Sequence, residues 1–87
     1  MASQILLVDD ELPVLNALKR VLRREGHEIL VAQTGQEALA TLHQAELAVI
    51  VCDYGLGSMT GAEVLAKAAN IRPNTVRITV AQVEYGS

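Results

Sequence analysis

The sequence predicts an α/β fold built on a parallel β-sheet. Short apolar runs of strand type alternate with stretches of helical periodicity along the 87 residues, in the order β-α-β-α-β-α-β. The run over residues 48–53 begins with five apolar residues in succession, three of them β-branched. Such a run is typical of a strand buried on both faces of a parallel sheet.

The first part of the chain gives a strand, a helix and a second strand. The first strand is predicted over residues 4–8, and an amphipathic helix over residues 12–25. Pro13 is tolerated in the first turn of that helix, and Gly26 is its stop signal. The strand over residues 27–32 alternates less cleanly, so we expect it at an edge of the sheet.

Both later helices begin with the spacing of a capping box, in which a hydroxyl residue precedes an acidic residue by three positions. Thr34 stands in this relation to Glu37, and Thr60 to Glu63. The two helices are predicted over residues 34–44 and 60–69.

The last strand is predicted over residues 75–85. With right-handed crossovers, four parallel strands in this chain order give a flavodoxin-like sheet of order 2-1-3-4. The sequence contains no repeat, linker or low-complexity segment, so residues 1–87 are predicted to form a single domain.

Composition excludes several classes of protein. A net charge of −3 gives no electrostatic support for binding nucleic acid. The one basic cluster, Lys19, Arg20, Arg23 and Arg24, has the spacing of a solvated helix face.

Cys52 is the single cysteine and is predicted to be a buried, inert thiol, as suits a reducing compartment. No apolar run approaches membrane length, so we expect a cytoplasmic protein without membrane contacts.

Acidic residues follow two of the predicted strands. Asp53 ends the central strand, and Asp9, Asp10 and Glu11 follow the first. Taken alone, Asp53 is equally well explained as the start of a turn. Parallel strands gather these carboxylates at one edge of the sheet, however, where like charges repel unless a cation lies among them. Carboxylates, a backbone carbonyl and water are the ligands that Mg²⁺ prefers, so we predict a site for a divalent cation.

These motifs resemble a known family. The run ILLVDDE over residues 5–11, the strand ending in Asp53, Gly61 eight residues beyond it and the RPNTV run over residues 72–76 resemble the receiver domain of two-component response regulators. The resemblance covers the whole chain. It implies a signalling domain rather than an enzyme, and a sensor histidine kinase as its partner.

The resemblance also assigns roles to residues. It implies that Asp53 is the phosphoacceptor, whose carboxylate attacks a phosphohistidine or a small phosphodonor. Asp10 and Asp53 would bind Mg²⁺ through their side chains, Asp9 through a water molecule and Gly55 through its backbone carbonyl. The ion would neutralise charge on the phosphoryl oxygens during transfer.

Three departures from the family pattern concern the same site. Gly57 takes the place of a proline, and Ala81 takes the place of the Thr or Ser that closes the fourth strand, unless a slip of two residues brings Thr79 there. The fifth strand, its terminal lysine and the last two helices have no counterpart, which implies a receiver truncated after its fourth strand. Because each lost contact to the phosphoryl group costs about 3 to 4 kcal/mol of transition-state stabilisation, we expect slow phosphorylation and an impaired switch.

Two alternative functions stay open. The chain could be a receiver-like assembly module that dimerises without phosphorylation. The strand over residues 75–85 carries little charge after Arg77 and would form an open sheet edge, so we predict self-association through it. A Mg²⁺-dependent phosphatase is a weaker interpretation, because the Asp-x-Asp-x-Thr motif of that class does not occur.

Overall fold

A computed structural model describes residues 3–56 and 59–80 of the chain. Its elements are β1 (Gln4–Val8), α1 (Leu12–Arg24), β2 (Glu28–Ala32), α2 (Gly35–Gln44), β3 (Val49–Asp53), α3 (Gly61–Ile71) and β4 (Val76–Val80). The four strands form one sheet in the order β2-β1-β3-β4, and every neighbouring pair is parallel. The predicted fold class and strand order are therefore confirmed, with β2 at an edge. Within the described residues, no helix has the length and hydrophobicity needed to cross a membrane.

The sheet separates two layers of apolar core. On one face, Leu6 of β1 and Ile50 of β3 are fully buried against side chains of α2 and α3. On the other face, Leu7 of β1 packs with Leu15 of α1. Aliphatic side chains dominate both layers, as expected for a chain with only 2% aromatic residues.

The prediction that the central strand is buried on both faces is wrong for one of them. Ile50 and Cys52 have no exposed surface, whereas Val49 and Val51, on the opposite face, are only partly buried. The reason is that α1 packs on β1 and β2, and among the described residues it makes no close backbone contact with β3 or β4. The side chains of β4 on the same face, Val76, Ile78 and Val80, are exposed for the same reason.

The end of α1 is a Schellman motif. Gly26 has a φ of +88°, a conformation that glycine adopts without steric cost. Its amide donates to the carbonyl of Arg23 at 3.0 Å, and the amide of His27 donates to the carbonyl of Leu22 at 3.4 Å. This pair of bonds is the C-terminal cap that a glycine permits, so the predicted stop signal is confirmed.

Both predicted capping residues act as caps. The hydroxyl of Thr34 accepts a hydrogen bond from the amide of Glu37 at 3.0 Å, and that of Thr60 accepts one from the amide of Glu63 at 3.1 Å. These two hydrogen bonds fix the starts of α2 and α3. The latter helix continues to Ile71, two residues beyond its predicted end at residue 69.

Candidate functional site

The carboxyl ends of β1 and β3 lie side by side. In the register of these strands Val8 is opposite Cys52, so the residues that follow, Asp9 and Asp53, extend from the same edge of the sheet. One carboxylate oxygen from each of Asp9, Asp10 and Asp53 lies within 4.8 Å of the others. Asp9 and Asp53 are partly buried and Asp10 is exposed. The predicted convergence of these three acids is therefore present in the structure.

The three acids line an open cleft of about 470 Å³. Its other lining residues are Glu11, Val14, Tyr54, Gly55 and Val80. Because a water molecule takes up about 30 Å³ in the liquid, this volume has room for a hydrated cation together with a small anion. Oxygen donors from carboxylates and a peptide carbonyl fit Mg²⁺ rather than a softer transition metal.

Two backbone hydrogen bonds of Tyr54, the residue after Asp53, fix the loop that carries Asp53. The amide of Tyr54 donates to the carbonyl of Val80 at 3.1 Å, which ties the loop to β4. The amide of Gly61 donates to the carbonyl of Tyr54 at 2.6 Å, which ties it to the first turn of α3. The sequence identified Gly61 only through the family motif, and its contact with this loop could not be read from spacing.

The acidic turn after β1 is also ordered. One carboxylate oxygen of Asp9 accepts a hydrogen bond from the amide of Glu11 at 2.9 Å, and the amide of Asp9 donates to the carbonyl of Ala32 at 3.1 Å. Glu11 lies at the N-cap position of α1 and is not part of the cluster of converging carboxylates among the described residues. The acidic site thus has three side-chain members rather than four.

The site disfavours the charge of its central carboxylate. Partial burial is the largest cause of the raised pKa of Asp53, and the negative charges of Asp9 and Asp10 raise it further. The backbone amides of Tyr54 and Gly55 act in the opposite direction and lower this pKa. A divalent cation between the three carboxylates would relieve this repulsion, which is the electrostatic reason to expect one here.

Cys52 lies on the other face of the strand from Asp53. Its side chain is fully buried, and burial, with smaller contributions from the charges of Asp53 and Asp9, raises the pKa of the thiol to about 11. A thiol with this pKa is protonated at neutral pH and is a poor nucleophile. The prediction of a buried thiol is confirmed.

The register between β3 and β4 shows whether Thr79 could supply the hydroxyl that Ala81 lacks. Val80 is opposite Asp53 and Thr79 is opposite Cys52, so Thr79 falls one residue short of the position opposite Asp53. Ala81, the residue that follows, lies outside the described residues, as does Gly57.

Comparisons with known proteins agree with this geometry. A sequence model of the family described as the response regulator receiver domain matches residues 5–85. The chain is 34% identical to the transcriptional regulatory protein SrrA of Staphylococcus aureus over 97% of its own length and 35% of the relative's. It is 35% identical to the hydrogenase transcriptional regulatory protein HoxA of Cupriavidus necator over 90% of its length and 16% of the relative's. It therefore spans about a third or less of these curated relatives.

The chain is also similar to solved structures of response regulators. A CheY-like response regulator receiver domain protein from Methanospirillum hungatei has a TM-score of 0.92 and 33% sequence identity, covering 97% of this chain and 67% of that one. The chemotaxis response regulator CheY4 of Vibrio cholerae has a TM-score of 0.86 and 27% identity, covering 91% of this chain and 68% of that one.

Proposed function

Because the chain belongs to the response regulator receiver domain family, we propose that it accepts a phosphoryl group on Asp53 in two-component signalling, from a sensor histidine kinase or a small phosphodonor. The observation that carries this proposal is the approach of oxygens from Asp9, Asp10 and Asp53 to within 4.8 Å of one another at the mouth of an open cleft. Three carboxylates at this distance favour a cation, and a cation favours the approach of an anionic phosphodonor.

The cation best suited to these donors is Mg²⁺. Asp10 and Asp53 would bind it through their carboxylates, Asp9 through a water molecule and Gly55 through its backbone carbonyl. The position of Gly55 in the cleft lining and the raised pKa of Asp53 support this assignment. When bound, the ion would offset negative charge on the transferring phosphoryl group.

Asp53 is the nucleophile of the proposed reaction. One of its carboxylate oxygens forms a bond to phosphorus while the bond from phosphorus to the donor nitrogen or oxygen breaks, and the donor leaves with that electron pair. The backbone amides of Tyr54 and Gly55 favour the charged form of this carboxylate. Asp53 is only partly buried and lines the open cleft, which leaves a path for the donor.

We further propose that transfer to this chain is slow. Ala81 follows Val80, the residue opposite Asp53, and offers no hydroxyl to the phosphoryl oxygens. Loss of one such donor costs about 3 to 4 kcal/mol of transition-state stabilisation. Residues 1–87 would act as a single cytoplasmic domain that accepts phosphate rather than as an enzyme, with no nucleic-acid or membrane contacts of its own.

A second candidate function is self-association through the last strand. Within the described residues β4 forms one edge of the sheet, and all five of its residues are exposed. Open strand edges pair readily with other chains. An assembly module of this kind would use residues 75–85 whether or not Asp53 is phosphorylated; residues 81–85 of that segment lie outside the described residues.

The phosphoacceptor proposal is tested by mass spectrometry of the intact chain after incubation with phosphoramidate and Mg²⁺. We expect a gain of one phosphoryl group on the wild type, none on Asp53→Asn, and none when EDTA replaces Mg²⁺. The Glu28→Gln variant, which removes an exposed carboxylate on the distant edge strand, should react like the wild type. Equal labelling of Asp53→Asn and wild type would overturn the assignment of Asp53.

A further inference from the structure

We propose that two copies of this chain pair through the free edges of β4 as antiparallel strands, in a register centred on Ile78. This inference rests on the self-association proposed above and adds to it the direction and register of the strands. It places Ile78 of one copy opposite Ile78 of the other, on a twofold axis that joins the two sheets, each with four strands within the described residues, into one.

The open groups of the edge follow from the bonds between β3 and β4. The amide of Val76 donates to the carbonyl of Ala48 at 3.0 Å, and the carbonyl of Val80 accepts from the amide of Tyr54 at 3.1 Å. The backbone groups of Val76 and Val80 therefore face β3. Because the backbone groups of successive residues in a strand point to opposite edges, those of Arg77 and Thr79 face outwards.

The edge is already closed at the start of β4. The amide of Thr75, whose backbone belongs to the same outward-facing series, donates to the carbonyl of Arg72 at 3.1 Å. Its carbonyl accepts a hydrogen bond from the guanidinium of Arg77 at 3.3 Å. Within the described residues, the groups left open for a partner are thus the amides and carbonyls of Arg77 and Thr79.

An antiparallel register centred on Ile78 matches these groups completely. It sets Arg77 of each copy opposite Thr79 of the other, and each such pair exchanges two backbone hydrogen bonds, which gives four in all. A register centred on Arg77 would instead set two guanidinium groups side by side and direct Thr79 at Thr75, whose backbone groups are already bonded. Like charges directly opposite each other destabilise a strand pair.

The side chains agree with the same register. Val76, Ile78 and Val80 are 56%, 44% and 49% exposed and lie on one face of the strand. Centring on Ile78 pairs the two Ile78 side chains with each other and each Val76 with Val80 of the other copy. These are the positions without mutual backbone bonds, where cross-strand side chains approach most closely, so β-branched side chains would meet on one continuous apolar face.

The register is tested by disulfide cross-linking of single cysteine substitutions on the 87-residue chain. Ile78→Cys puts two thiols opposite each other at a separation that a disulfide can span, and we expect a covalent dimer with a thiol oxidant such as diamide. Val76→Cys, on the same face and at least as exposed, is the matched control. In this register two copies of that residue lie four positions apart, about 13 Å along the strand, beyond disulfide reach.

We expect cross-linking of Ile78→Cys to be at least tenfold faster than that of Val76→Cys. Equal rates, or a faster reaction of Val76→Cys, would overturn the register. The native Cys52 is fully buried and should not contribute in either variant.

A second variant tests the use of the edge itself. Thr79→Pro removes an outward-facing amide but leaves the bonds to β3, since proline is tolerated where the lost N–H faces the open edge. Sedimentation should show at least a tenfold rise in the dimer dissociation constant, whereas Thr79→Val, which keeps the amide, should dimerise like the wild type. A wild-type chain that is monomeric at 100 µM would overturn self-association altogether, and a dimer that Thr79→Pro leaves intact would overturn only the edge pairing. Asp53→Asn should dimerise normally, which separates this result from the phosphoacceptor proposal.

Discussion

Gly61 packs directly against the carbonyl oxygen of Asp53. A Cβ atom built on Gly61 would lie 2.5 Å from that oxygen and 2.9 Å from the Cα atom of Tyr54. No other residue type fits there without a shift of the loop. The start of α3 and the proposed phosphoacceptor are thus coupled through backbone contact, in addition to the hydrogen bond from the Gly61 amide to Tyr54.

We predict that Gly61→Ala displaces the loop that carries Asp53. The added methyl group overlaps backbone atoms that cannot rotate away, so the free energy of unfolding should fall by about 1 to 3 kcal/mol. Labelling by phosphoramidate should slow as well, because the carboxylate moves relative to Asp9 and Asp10. Urea unfolding and mass spectrometry measure the two effects. Ala66→Ser, on the exposed side of the same helix, should leave labelling unchanged and lower the free energy of unfolding by only about 0.5 kcal/mol.

We predict that Ala81→Thr accelerates phosphorylation of Asp53. A hydroxyl just beyond the residue opposite Asp53 would donate to the phosphoryl group in the transition state, and a donor of this kind is worth about a hundredfold or more in rate. Ala81→Val has nearly the same shape without the hydroxyl and should leave the rate unchanged. If both substitutions speed labelling equally, the effect is one of packing and the proposed role of this position is wrong.

The raised pKa of Asp53 predicts a dependence of stability on pH in the absence of metal. When a carboxyl group has a higher pKa in the folded than in the unfolded chain, the folded state binds more protons, so its stability falls as pH rises above the unfolded value. At pH 7 without metal, Asp53→Asn should therefore melt at a higher temperature than the wild type. This difference in melting temperature between Asp53→Asn and the wild type should narrow towards pH 4.

Thermal melts in EDTA between pH 4 and pH 8 measure this gap. Mg²⁺ should reduce it at pH 7 by stabilising the wild type more than the variant. Glu28→Gln serves as the control for removal of a carboxylate outside the cleft. A variant that is less stable than the wild type at pH 7 in EDTA would contradict the electrostatic account of the site.

The cap of α2 gives a prediction about the fold alone. Thr34→Ala removes the acceptor for the amide of Glu37 and should cost about 1 kcal/mol, or about 4 to 8 °C in thermal midpoint for a domain of this size. Thr41→Ala is the matched control, because the hydroxyl of Thr41 only donates back to the carbonyl of Glu37 within the helix. Equal losses in the two variants would show that the cap is not the cause.

Local sequence chemistry predicted much of the fold and the site. Gly26 ends α1 and Thr60 starts α3 because each acts on its immediate neighbours, which spacing along the chain reveals. The convergence of Asp9 with Asp53 followed from a simple rule, since the ends of adjacent parallel strands lie at the same edge.

The parts that were missed depend on contacts distant in sequence. The apolar run of β3 could not show that α1 covers only β1 and β2, and so Val51 is only partly buried. Neither could it fix the register that sets Val80, and not Thr79, opposite Asp53. The contact of Gly61 with Asp53 depends on how the loop folds back, which no periodicity encodes.

The most direct test of the central claim, that Asp53 is a Mg²⁺-dependent phosphoacceptor, is the thermal midpoint with and without Mg²⁺ plus beryllofluoride. A ligand at a hundred times its dissociation constant stabilises the folded state by about 2.7 kcal/mol, which raises the midpoint of a small domain by several degrees. We predict this rise for the wild type and its absence in Asp53→Ala. No rise in the wild type, or an equal rise in both proteins, would contradict the claim.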